Sequence, residues 1–143
     1  MSAPEEKPKI LSIDDESAIH LLIPAFLGEV GSVEMLDSKN MDVAAAVDAI
    51  RLKLEGVDIL ILDGRYEDPK RTNDQTALQI IQRLAPELSA KGVTVIVYSS
   101  DDEILKAVKS FYPSVSVVTK PGNFDSIKEA ISQRVPFEVS SNA

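Results

Sequence analysis

Cysteine is absent from this chain of 143 residues. That removes disulfides, thiolate nucleophiles and thiolate-bound zinc from consideration. Positive charge is scarce: 15 Lys and Arg face 23 Asp and Glu, for a net charge of −8. A dominant nucleic-acid footprint is therefore not expected, because phosphate backbones are gripped by clustered basic side chains. No apolar run is long enough to span a bilayer. The opening MSAPEEKPK lacks the apolar core of a secretory signal, so the expectation is a cytoplasmic protein with no membrane partner. Repeats, low-complexity tracts and interdomain linkers are missing too. What is present is the balance of a folded domain, 44% hydrophobic and 27% charged, at a length that suits one core.

Five short apolar runs stand out: Lys9–Ile13, Ser32–Leu36, Val57–Leu62, Val93–Tyr98 and Val115–Val118. The third and fourth are rich in Val, Ile and Leu with little alternation, as expected for strands covered on both faces. Between the runs lie segments with helical spacing. Ala44, Val47, Ala49, Ile50, Leu52 and Leu54 mark one; Leu78, Ile81 and Leu84 the next; Ile104, Leu105, Val108 and Phe111 another; Ile127, Ala130 and Ile131 the last. Alternating strands and helices predict an α/β fold with a parallel sheet. Gly56, Gly92 and Pro113 punctuate the returns. Pro24, inside the first helical segment, predicts a kink or restart there. The expected domain covers residues 9–136, between loose tails at 1–8 and 137–143.

Ligands of an open parallel sheet bind beyond the carboxyl ends of its strands. Asp14-Asp15-Glu16 follows the first run, Asp63 the third, Ser99-Ser100 the fourth and Thr119-Lys120-Pro121 the fifth. Gathered in one pocket, Asp14, Asp15 and Asp63 would repel one another unless a cation lay among them. Hard oxygen ligands favour Mg²⁺. A carboxylate beside Mg²⁺ can attack a phosphoryl group, while Lys120 offers fixed positive charge and Ser99 a hydroxyl donor. Each feature has a bland counterpart: an acidic pair can be a helix N-cap, and a strand-end aspartate or a Lys-Pro dipeptide can be turn chemistry.

ILSIDDE, DILILDG, VIVYSS and TKPG, in that order and on successive strands, resemble the response-regulator receiver domain of two-component signalling. The resemblance runs from about Lys9 to about Arg134. It implies a flavodoxin-like, doubly wound, five-stranded parallel sheet in the order 2-1-3-4-5 with five helices. It also implies Asp63 as phosphoacceptor, Asp14 and Asp15 as the acidic pair with Asp15 the more direct Mg²⁺ ligand, and Mg²⁺ contacts from Asp63 and the Arg65 backbone carbonyl. Ser99 would be the switch hydroxyl and Lys120 the phosphoryl-binding lysine, followed by a cis bond to Pro121. The implied partners are a histidine kinase or phosphotransfer protein and a downstream protein target, met through the first helix, with Ile19, Leu22 and Ile23 as candidates. Signalling rather than turnover is implied, with only slow Mg²⁺-dependent self-phosphorylation and dephosphorylation, in a monomer or weak homodimer. No effector motif follows the domain, so the expectation is a stand-alone regulator or part of a longer chain.

The sequence departs from the receiver pattern in places. Tyr66-Glu67 stands where Met-Pro is usual, Val117 where an aromatic switch residue is usual, and the Gly64–Thr76 loop is long and carries Lys70 and Arg71. Arg65 and Asp101 flank the expected pocket, which predicts that they pair and that Arg65 partly shields the phosphoryl group. These departures keep open a degenerate receiver that binds proteins without phosphorylation. A haloacid-dehalogenase-type phosphohydrolase is disfavoured, because its acid/base aspartate would fall where Arg65 stands. His20 is read as an ordinary polar residue, since receivers take phosphate from a histidine on another protein.

Overall fold

The aliphatic runs and amphipathic segments alternate along the chain, and the computed structural model, which describes residues 7–68, 71 and 75–139, turns that alternation into a ladder of βα units. In order they are β1 (Lys9–Asp14), α1 (Ser17–Leu27), β2 (Ser32–Asp37), α2 (Val43–Lys53), β3 (Ile59–Asp63), α3 (Ala77–Lys91), β4 (Thr94–Ser99), α4 (Asp102–Phe111), β5 (Ser116–Thr119) and α5 (Phe124–Gln133). The strands form one sheet in the order β2-β1-β3-β4-β5, parallel throughout. This is the flavodoxin-like α/β architecture. Among the described residues no helix is long and apolar enough to cross a membrane.

Because side chains alternate across a strand, each central strand feeds two cores. Leu11, Ile13, Leu60, Leu62, Val95 and Val97 face the layer of α2, α3 and α4. Ile10, Ile59, Ile61, Ile96 and Tyr98 face α1 and α5. Ile59 through Leu62 are all buried, and each contributes roughly 1.5–3 kcal/mol by leaving water. The residue that ends β3 therefore sits on a rigid mount.

Several expectations need correction. The first helix does not restart at Pro24: α1 runs unbroken through it. Only one backbone donor is lost, and the burial of Ile23 and Leu27 on either side holds the helix together. In α2 the expected stripe holds at Val47, Ile50 and Leu54 and fails at its edges. Ala44 is exposed and Leu52 is 86% exposed, while Val43, Ala46, Val47, Ile50 and Leu54 are buried. The Asp42 side chain caps α2 by accepting from the Ala45 amide at 2.8 Å, which fixes the helix start and so the phase of its inner face. Phe111 is exposed rather than core.

The tail boundaries also shift. Phe137, placed in the C-terminal tail, is 1% exposed. Its ring lies 5.5 Å from that of Tyr112 and its amide donates to the Val93 carbonyl at 2.8 Å, closing the core beneath α4. Pro8, placed in the N-terminal tail, accepts from the Ser32 amide at 2.9 Å. The remainder of both tails lies largely outside the described residues, as does Lys70.

Candidate functional site

Asp14, Asp63, Ser99 and Thr119 are the last residues of their strands, so the sheet itself lines up the ends that carry polar chemistry. Lys120 follows β5 and turns inward. Its Nζ lies 2.7 Å from Asp14 Oδ2, 3.1 Å from Asp63 Oδ1 and 3.1 Å from Glu16 Oε1. The lysine side chain is only 5% exposed. The Lys120–Pro121 peptide is cis. Elements far apart in sequence thus meet at one ammonium group.

The acidic pair is more than a helix cap. Glu16, the residue at the cap position of α1, makes no side-chain cap bond, and Asp14 Oδ1 accepts from the Glu16 amide at 2.9 Å. Carboxylate oxygens of Asp14, Asp15 and Glu16 lie within 4.8 Å of one another. That all-oxygen donor set, close to Asp63 through the shared lysine, fits a hard divalent cation. Glu16 belongs to this group although the sequence did not single it out, and Asp63 joins it through Lys120 rather than directly. His20 Nε2 donates to the Asp14 carbonyl at 2.7 Å, which makes it a support of the β1 end.

Crowded buried charge shows in the acid–base chemistry. Burial, then the Asp14 charge, pushes Asp63 up to about 7, against the pull of Lys120 and the Gly64 amide. Burial also raises Asp14, opposed by its hydrogen bond to Lys120. For Lys120 burial acts downward, but the hydrogen bond to Asp14 and the charges of Asp63 and Asp14 outweigh it and hold the lysine above its usual value.

The mouth is a cleft of about 510 Å³ bordered by Asp15, Asp63, Arg65, Ser99, Asp101 and Lys120, among others. Gly64 is required beside it: a Cβ there would lie 2.2 Å from Ser99 Oγ, too close for any side chain. The Gly64 amide donates to Asp63 Oδ1 at 2.8 Å. Across the mouth, Arg65 pairs with Asp101 through Nε and Nη2. Asp101 also caps α4, accepting from the Glu103 and Ile104 amides at 3.0 and 3.2 Å. Arg65 further forms an antiparallel bridge with Thr76, which draws together the long loop that follows β3.

Solved structures with this architecture decide what fold it is. A receiver protein from Sinorhizobium medicae superposes with a TM-score of 0.67 at 22% identity, over 91% of this chain and 95% of that one. A receiver domain from Clostridium thermocellum gives 0.66 at 20%, over 90% and 94%. This is the response-regulator receiver fold. The response regulator TrrA of Thermotoga maritima, solved with Mg²⁺ and beryllium fluoride, matches at 0.65 and 19%, over 89% and 98%. No protein-family model matches the sequence, and neither does any curated protein.

Set against receiver expectations, the structure brings Asp14, Asp15, Asp63, Ser99 and Lys120 to one end of the sheet. Val117 is half-buried on β5 and offers no aromatic ring. Two aromatic residues lie near the site, though neither was assigned a role there from the sequence. Tyr98 is buried, lies with its ring 5.5 Å from Lys120 Nζ and donates to the Gly122 carbonyl at 2.6 Å. Tyr66 is buried under the acidic cluster. Of the candidate docking residues on α1, Ile19 and Ile23 are buried; Leu22 is exposed together with Leu21 and Phe26.

Proposed function

We propose that the chain is a phosphoacceptor receiver: Asp63 takes a phosphoryl group from a partner histidine kinase or phosphotransfer protein in the cytoplasm, and the modification switches binding to a downstream protein. The observation that carries this reading is Lys120 Nζ within 3.1 Å of carboxylates from the ends of two different strands, Asp14 and Asp63. The Mg²⁺-bound response regulator among the structural neighbours lends support.

Asp14 and Asp15, with Asp63 and the Arg65 carbonyl, would hold Mg²⁺, which when bound neutralises the carboxylates and the charge on the phosphoryl oxygens. Asp63 Oδ1 is engaged by the Gly64 amide and Lys120, so Oδ2 is the attacking atom. It forms a bond to phosphorus while the bond from phosphorus to the donor nitrogen breaks, the electron pair leaving with the imidazole. Lys120 then pairs with a phosphoryl oxygen. Ser99 Oγ accepts from the Asp101 amide at 3.1 Å; in donating to the phosphoryl group its hydroxyl reorients against the residue that caps α4. This route to α4 needs no aromatic at position 117.

Incubation with a small phosphodonor and Mg²⁺, read by intact-mass spectrometry, tests the assignment. One phosphate adduct is expected, lost in Asp63→Asn and without metal. No adduct under any condition would instead leave a degenerate receiver that binds partners unmodified. The Arg65–Asp101 pair at the mouth screens the acyl phosphate from water, so Arg65→Ala should shorten the phosphoryl half-life about tenfold, or ~1.4 kcal/mol. An unchanged half-life would reduce the pair to a surface contact.

A further inference from the structure

Tyr98 stands on β4 one residue before Ser99, in register with Asp63 on β3 and Val118 on β5. Side chains alternate across a strand, so Ser99 borders the cleft while Tyr98 turns toward the layer of α1 and α5. The tyrosine is 1% exposed, yet it meets the Lys120 turn twice. Its ring lies 5.5 Å from Lys120 Nζ, within the distance at which an aromatic face attracts an ammonium. Its hydroxyl donates to the Gly122 carbonyl at 2.6 Å, two residues further along. Burial raises the hydroxyl above its usual value, so it remains a donor through the neutral range.

The turn that Tyr98 grips runs along the surface. Pro121 and Asn123 are exposed, and Gly122 and Asn123 take positive φ values of 74° and 56°. Lys120 nonetheless reaches a buried position from it. The Lys120 amide donates to the Ser99 carbonyl at 3.0 Å, and the Asn123 side chain donates to the Thr119 carbonyl at 2.7 Å. The tyrosine hydroxyl adds an anchor on the far side of the lysine. The ring is itself fixed. Phe124 packs against it with centroids 5.9 Å apart and a tilt of 55°, and Phe26 stacks on Phe124 at 4.5 Å and 2°. A leucine could occupy the same apolar cluster, but it has neither a ring face for the ammonium nor a donor for Gly122.

We infer that Tyr98 is a positioning residue for phosphoryl transfer: its ring and its bond to Gly122 hold Lys120 in line for the phosphoryl oxygen. The inference rests on the reading of Asp63 as phosphoacceptor. The ion pairs of Lys120 with Asp14 and Asp63 cannot hold it throughout, because they change as a cation binds and as Asp63 is modified. The contacts made by Tyr98 come from an uncharged side chain and persist through both changes.

The test follows adduct formation on the full chain with acetyl phosphate and saturating Mg²⁺, by intact-mass spectrometry, for wild type, Tyr98→Phe and Tyr98→Leu. Isothermal titration with Mg²⁺ alone accompanies it. Tyr98→Phe keeps the ring and loses the tether, so its rate should fall about fivefold. Tyr98→Leu loses both, and its rate should fall about twentyfold. Mg²⁺ affinity should be unchanged in each, because Tyr98 acts on the lysine and not on the carboxylates. Should Tyr98→Leu fail to fold, Tyr98→Phe, which removes one hydroxyl, decides alone. Wild-type rates in the variants overturn the inference and leave the receiver reading standing. A rate loss matched by an equal loss of Mg²⁺ affinity also overturns it, since the substitution would then loosen the whole site. If wild type forms no adduct, the receiver reading fails and the inference with it.

Discussion

Replacing Lys120 with methionine is expected to cost the metal-free protein about 3–5 kcal/mol at neutral pH, the range for stripping one partner from a buried ion pair. The lysine is the shared counter-charge of Asp14, Asp63 and Glu16, and the first two carboxylates are nearly as buried as it is. Methionine keeps the packing against Tyr98 but leaves like charges facing one another at low dielectric. By contrast, Arg51–Glu87 and Lys53–Glu34 join largely exposed side chains, and pairs of that kind contribute about 0–1 kcal/mol. Urea unfolding of the variant with chelator and again with Mg²⁺ checks the argument. Mg²⁺ should restore much of the loss, because a cation among the carboxylates replaces the missing ammonium. A loss below about 1 kcal/mol in chelator would mean that the cluster holds its shape without Lys120.

The same cluster shows what the sequence could and could not disclose. Strands covered on both faces read as unbroken aliphatic runs, so β3 and β4 were legible to within two residues at each end. Reading the polar residue after each run located Asp14, Asp63, Ser99 and Lys120, because a parallel sheet gathers its carboxyl ends whatever its loops do. Periodicity gives a helix but not the margins of its inner face. In α2 the stripe is right at Val47, Ile50 and Leu54, while Leu52 is exposed and Val43 and Ala46 take the buried places at its margin. Tyr98 reads from the sequence as one more strand residue. Only the register that sets it beside Asp63 and Val118, with the inward turn of Lys120, makes it a neighbour of the ammonium. Glu16 was in view as the third acid of the Asp14-Asp15-Glu16 run, but that it reaches Lys120 at 3.1 Å follows only from the inward turn of the lysine. Tyr66 registered only as a departure from a pattern, since burial of its hydroxyl depends on three backbone segments meeting.

The stability of the metal-free protein should fall as pH rises from about 4 to about 7. Asp63 sits at about 7 when folded, against 3.8 for the free group. Between those values the folded chain keeps a proton that the unfolded chain has released, so each step up in pH favours unfolding. At about 1.36 kcal/mol for each pH unit across that window the total is on the order of 4 kcal/mol, and Asp14, raised by burial, acts in the same direction. Other shifted groups work elsewhere. Lys120, held above its usual value, loses its contribution only in the alkaline range. Asp101, lowered by Arg65, and Glu29, lowered by Lys128, contribute stability that is lost only as pH falls below the ordinary carboxylate range. Chemical unfolding at several pH values in chelator, for wild type and Asp63→Asn, reads the slope directly. The asparagine variant should be flatter with pH and more stable than wild type at about pH 8; a slope that survives in it would place the titration on Asp14. Mg²⁺ needs the ionised carboxylates, so its stabilising effect grows over the same window, by about 2.7 kcal/mol once free Mg²⁺ reaches about 100 times its dissociation constant. The ionised form of Asp63 is thus the one the metal-free fold tolerates least, and under the proposed function a bound cation would offset that cost.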